Sequence, residues 1–182
     1  MPRLPNLVER SEVPEHLLDA FDRVAKERNG QVSGPYGVLL HSPETAIRGA
    51  TLGSYVRFQS ALSPIDREIA IMAAARELDA AVMWAGHVRL GRQEGVREEV
   101  IEVIARRRDP GPLEQSEAEI VRYVRELLSE NRVADETFAT LHGRLGDQGI
   151  VDLTALVGYY TFVGAVLNAF EIEAPEGAPR LP

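Results

Sequence analysis

The 182-residue chain is 45% hydrophobic and 26% charged, enough apolar material for one compact domain burying roughly 70% of its unfolded surface. Its formal net charge of −8 leaves no basic footprint, so nucleic acid and an anionic membrane face are poor partners, and small molecules or copies of itself are expected instead. Zero cysteines exclude a disulfide framework, a thiolate metal site and a thiol nucleophile. The opening Met1-Pro2-Arg3-Leu4-Pro5 lacks the continuous apolar core of a secretory signal, which predicts a cytoplasmic protein.

In chain order the signals are those of helices. Pro14 stands where a first helical residue belongs, and Leu17, Leu18, Phe21 and Val24 follow at helical spacing up to Gly30. A Gly-Pro loop leads to Val38-Leu39-Leu40, and Ser42-Pro43 opens a second long segment reaching about Ala61. Ser63-Pro64 supplies another N-cap with proline in the first turn, opening a helix to about Asp79. Ala80 to Gly95 reads as the next helix and Arg97 to Arg107 as a shorter one, whose arginines 106–108 form a solvated end. Ser116-x-x-Glu119 reads as a capping box for a helix ending near Asn131. Asp135 to Leu145 and Gly149 to Glu171 complete an all-α, multi-helix bundle. One domain over 1–182 is expected, with loose proline-rich ends near 1–10 and 174–182.

Leu153 to Phe170 carries no charge and approaches the roughly 18 to 20 residues that span a bilayer. Asp152 and Glu171 flank it instead of arginine or lysine, and Thr154, Thr161 and Asn168 interrupt it, so a helix buried in a helical core is expected and no membrane partner.

The richest stretch is Ser63-Pro64-Ile65-Asp66-Arg67-Glu68-Ile69-Ala70-Ile71, followed by Met83-Trp84-Ala85-Gly86-His87-Val88-Arg89. With Gly34 to Pro43 upstream, and Gly158-Tyr159-Tyr160-Thr161 and Leu167 to Glu171 downstream, it resembles the carboxymuconolactone decarboxylase family, which includes the alkyl hydroperoxidase accessory (AhpD-like) proteins. The resemblance implies an all-α AhpD-like bundle, homotrimers or homohexamers with pockets near subunit contacts, and cofactor-free chemistry. It also sets out departures. The two cysteines of the peroxidase branch are replaced by Ala80 and Met83, while His87 and Glu68 match the histidine and glutamate of that relay. Thiol-dependent peroxidase activity is therefore not expected. Where cysteine-free relatives read Glu-Trp-Ala-His-His, this chain reads Met83-Trp84-Ala85-Gly86-His87.

Read from the residues alone, His87 is either a proton-transfer group or a core histidine bonded to a carbonyl. Glu68 opens an otherwise uncharged run from Ile69 to Ala75, so it is either partly buried with a raised pKa or a partner of the helix dipole. Val157, Thr161, Gly164, Asn168 and Glu171 share one helical stripe, lining a pocket or making a close helix contact. His16, His41 and His142 show no metal-ligand spacing with one another or with His87, so no metal site is expected. The resulting expectation is a cofactor-independent lyase or isomerase acting on a small, carboxylated cyclic metabolite. His87 and Glu68 would do acid–base work, and Trp84, Met83, Tyr36, Asn168 and Thr161 would shape the substrate pocket. The alternative is a catalytically silent, oligomeric small-molecule-binding protein.

Overall fold

The computed structural model describes residues 2–174 and 176–182; the looseness expected of the two ends lies, at Met1 and Pro175, outside the described residues. Among the described residues there are helices and turns and no strand. Two 3-10 turns, Arg10–Glu12 and Glu15–Leu17, lead into α1 (Leu18–Glu27). They are followed by α2 (Tyr36–Leu39), α3 (Pro43–Phe58), α4 (Pro64–Glu77), α5 (Ala81–Glu94), α6 (Glu98–Ala105), α7 (Gln115–Arg125) and α8 (Asp135–Ala169). A π-helical turn, Glu126–Glu130, extends α7.

The centre is α4, which packs against α5, α6, α7 and α8. Its run Ile69-Ala70-Ile71-Met72-Ala73-Ala74-Ala75 is fully buried, and the alanines let neighbouring helices approach on every side. Its start is as predicted: Ser63 Oγ accepts a hydrogen bond from the Asp66 N–H at 3.0 Å, with Pro64 in the first turn. A second apolar cluster joins α1, α2 and α3 to Leu7, Val13 and Val166.

Three local expectations change. Pro14 precedes a 3-10 turn, and the α-helix begins at Leu18. The capping box does not form, because α7 starts at Gln115 and Ser116 is already its second residue; the Glu119 carboxylate turns instead to Arg144. The two last predicted helices are joined end to end in α8 across Gly146, whose φ of 69° and ψ of −179° make a kink that only glycine adopts readily.

The most apolar 18-residue window of α8 is long and apolar enough to cross a membrane, and 61% of it is buried against the rest of the protein. Gly164 sits against Leu78 and Ala80, where an added Cβ would come within 3.1 Å of Leu78 Cδ1. Gly164 and Asn168 of the stripe thus pack closely on the turn between α4 and α5, and Asn168 Nδ2 donates to the Leu78 carbonyl at 3.0 Å.

The chain ends lie on the body. Leu7 is buried, its N–H donates to the Gly37 carbonyl at 3.1 Å, and the Arg3 N–H donates to Phe170 O at 3.0 Å. Residues 176–179 border the cavity described next.

Candidate active site

A cavity of about 950 Å³ opens between the two apolar clusters, walled by the Ser33–Tyr36 loop, the end of α3, one face of α5, the middle of α8 and the C-terminal segment. That size suits a small metabolite.

One residue of α5, His87, borders it, and one of α4, Glu68, meets that side chain from behind the wall. Glu68, one turn into α4, is 1% exposed and His87 is 8% exposed. His87 Nδ1 lies 2.7 Å from Glu68 Oε2. A carboxylate only accepts, so the proton of a neutral imidazole sits on Nδ1 and the Nε2 lone pair is left free. His87 borders the cavity, and Nε2 has no protein partner among the described residues. The ring is held from another side by Tyr160, edge-on with centroids 5.1 Å apart.

Burial pushes His87 below the ordinary histidine pKa, and the Arg57 and Arg28 charges push the same way; the hydrogen bond and charge of Glu68 oppose them without prevailing. Burial also works against the Glu68 carboxylate, but the hydrogen bond from His87 and the charges of His87, Arg57 and Arg67 outweigh it and hold its pKa below the usual value. The reading of Glu68 as a buried group with a raised pKa is thereby corrected: burial alone would raise it, but the His87 hydrogen bond and charge, helped by two arginines at 4.0 and 3.7 Å from Oε1, reverse the sign. At neutral pH the pair is a neutral imidazole on an ionised carboxylate.

The chain is acidic overall, yet four arginines, Arg28, Arg57, Arg89 and Arg92, border this cavity. The Nε atoms of Arg28 and Arg57 are buried without a hydrogen-bond partner. Arg28 stacks over the Tyr36 ring at 4.4 Å, and the Tyr36 hydroxyl is hydrogen-bonded to that of Tyr159. Gly53 makes room for this pair, since a Cβ there would collide with the Tyr159 hydroxyl.

The structure therefore brings together His87, Glu68, Met83 and Tyr36, and separates Trp84, Thr161 and Asn168 from them. Met83 and His87 are four residues apart on one face of α5, whereas Trp84, one residue on and rotated by about 100°, enters the main core with Val88. Thr161 Oγ1 donates to the Val157 carbonyl of its own helix at 2.9 Å, and Asn168 faces the Leu78 turn. Sequence reasoning missed Arg28, Arg57, Tyr159 and Tyr160. Both tyrosines stand next to Thr161 in the sequence and both border the cavity, while Thr161, one residue on in helical phase, does not. Arg57, in the last turn of α3, looked like any arginine at a helix end. Among the described residues there is no group of three or more metal-ligating side chains, and the other three histidines lie elsewhere; His41 bonds the Pro5 carbonyl and His142 pairs with Asp147.

Residues 43–126, from the start of α3 to the first residue past α7, match the family model described as the carboxymuconolactone decarboxylase family. No curated protein matches the chain. The matched segment contains Arg57, Glu68, Met83 and His87; Arg28, Tyr36, Tyr159 and Tyr160 lie outside it.

Proposed function

We propose, from the match of residues 43–126 to the carboxymuconolactone decarboxylase family model, that the chain is a cofactor-independent lyase or isomerase of this kind, acting on a small carboxylated metabolite by acid–base chemistry. The observation that supports this most is His87 in a cavity wall, backed by the buried Glu68 carboxylate, with a neutral ring whose Nε2 is unengaged. His87 removes a proton from a carbon acid at Nε2, and Glu68 keeps the Nδ1–H tautomer and stabilises the imidazolium that forms. The arginine-lined wall accounts for a carboxylate on the substrate. With no cysteine in the chain, a dithiol peroxidase cycle has no redox centre here.

The test is solvent deuterium uptake into small unsaturated or lactone carboxylates, followed by NMR. Wild-type protein is expected to exchange the proton next to the carboxylate or acyl group of at least one such compound, and His87→Gln is expected to lose roughly 100-fold or more of that rate with its melting temperature nearly unchanged. A clear fall in melting temperature with exchange intact would make His87 a core residue and overturn the proposal.

Assembly into a homotrimer or homohexamer belongs to the same proposal. The exposed Leu52, Phe58 and Val151 on α3 and α8 are apolar surface of the kind a second copy covers. A monomer by light scattering across micromolar concentrations would remove this part.

A further inference from the structure

Two groups beside His87 are desolvated yet incomplete. The Arg57 side chain is 17% exposed and makes no hydrogen bond among the described residues. Its nearest anionic atom, Glu68 Oε1, is 4.0 Å away, outside hydrogen-bond range, and its Nε is buried without a partner. Tyr160 is 3% exposed, and its hydroxyl has no protein partner among the described residues. Both border the cavity, and the Tyr160 ring stands edge-on to the His87 imidazole. Among the described residues Arg57 has only the long contact to Glu68 and the face of the Phe58 ring, so its buried Nε lacks an acceptor, and the Tyr160 hydroxyl lacks one within the protein; a bound oxygen at the cavity wall would complete both. Burial also pushes the Tyr160 pKa up, so the phenol stays protonated and remains a donor.

We propose that Arg57 and Tyr160 form an oxyanion site for an enolate, which makes the substrate a carbon acid whose acidic C–H is next to a carboxylate or lactone carbonyl. The inference rests on His87 as the base. His87 Nε2 takes the proton, the electron pair of the broken C–H bond moves through carbon onto the carbonyl oxygen, and that oxygen accepts a hydrogen bond from the Tyr160 hydroxyl beside the Arg57 charge. The imidazolium then returns the proton to another carbon in an isomerisation, or to the departing group in an elimination, and charge and protons balance without an oxidant or reductant. Arg28, over the Tyr36 ring, adds a second positive charge to the same wall.

The test uses p-nitrophenol, whose phenolate resembles an enolate oxygen and is followed by its visible absorbance, so no turnover is needed. Bound to wild-type protein and to His87→Gln, the probe is expected to ionise at lower pH than in solution, with phenolate favoured over phenol by about tenfold. Arg57→Gln should abolish that preference, Arg57→Lys should keep part of it, and Tyr160→Phe should reduce it several-fold. If the probe does not bind, if its ionisation is unshifted, or if the shift survives Arg57→Gln, the oxyanion site is wrong. If the shift is present but wild-type protein shows no deuterium exchange, the His87 reading fails and the site stands as an anion-binding one.

Discussion

Asp66 and Glu68 stand two residues apart on α4, both buried and both near arginine, and their surroundings end differently. Asp66 Oδ2 accepts from Arg144 Nη1 at 2.9 Å, and the same guanidinium approaches Glu119 Oε2 at 3.3 Å and donates to the Ser116 carbonyl at 3.2 Å. That cluster is closed and ties α4, α7 and α8 together. Around Glu68 the arginines stop short: the Nε atoms of Arg57 and Arg67 are buried without partners, and the far nitrogen of His87 has none. A saturated network holds helices in place, whereas one left open beside a cavity gives up stability and gains a place for a ligand.

Exchanging the two carboxylates for amides separates their roles. Glu68→Gln should lower the deuterium-exchange rate about 100-fold, or about 2.7 kcal/mol in barrier, because the imidazolium loses its counter-charge. The Glu68 charge also lifts the His87 pKa against burial, so the acid limb of kcat/KM should move to lower pH in this variant. Asp66→Asn should leave rate and pH profile alone and cost about 2 kcal/mol of stability, read by denaturant unfolding. Equal effects of both variants on rate would erase the distinction.

A smaller effect is expected at Gly53, where a Cβ would meet the Tyr159 hydroxyl and come within 3.1 Å of that of Tyr36. Gly53→Ala should cost about 1.5 kcal/mol of stability and weaken p-nitrophenol binding by displacing the tyrosine pair, while the Asp66 cluster stays intact. Unchanged stability would mean that the pair moves aside freely.

The smallest effect is the pH dependence of stability. His87 is held below its ordinary value of 6.5, so on acidification the unfolded chain takes up this proton before the folded one does. Stability should therefore be fully present above pH 6.5 and decline as pH falls from there. The Glu68 pKa is also lowered, so its contribution is present above 4.5 and lost as pH falls through its folded value. His87→Gln should remove the first decline and also weaken the one below 4.5, because it takes away the imidazole that does most to hold the Glu68 pKa down. A wild-type stability that rises on acidification through this range would contradict both directions.

Much of this architecture was legible in the residues. Helical spacing, the Ser63-Pro64 start and the apolar run after Glu68 specified an all-α bundle, because capping and periodicity are local properties of the chain. The pairing of Glu68 with His87 was legible only through resemblance, since nothing in a separation of nineteen residues dictates a hydrogen bond. What the tertiary structure alone decided was direction and company. The phase of α5 sends Met83 to the cavity and Trp84 to the core, the phase of α8 selects Tyr160 over Thr161, and the end of α3 delivers Arg57 to a wall where its Nε is buried without a hydrogen-bond partner. The sign of the Glu68 pKa shift follows chiefly from the approach of His87 on α5, because burial is a property of one residue whereas a hydrogen-bond donor must be brought by another element.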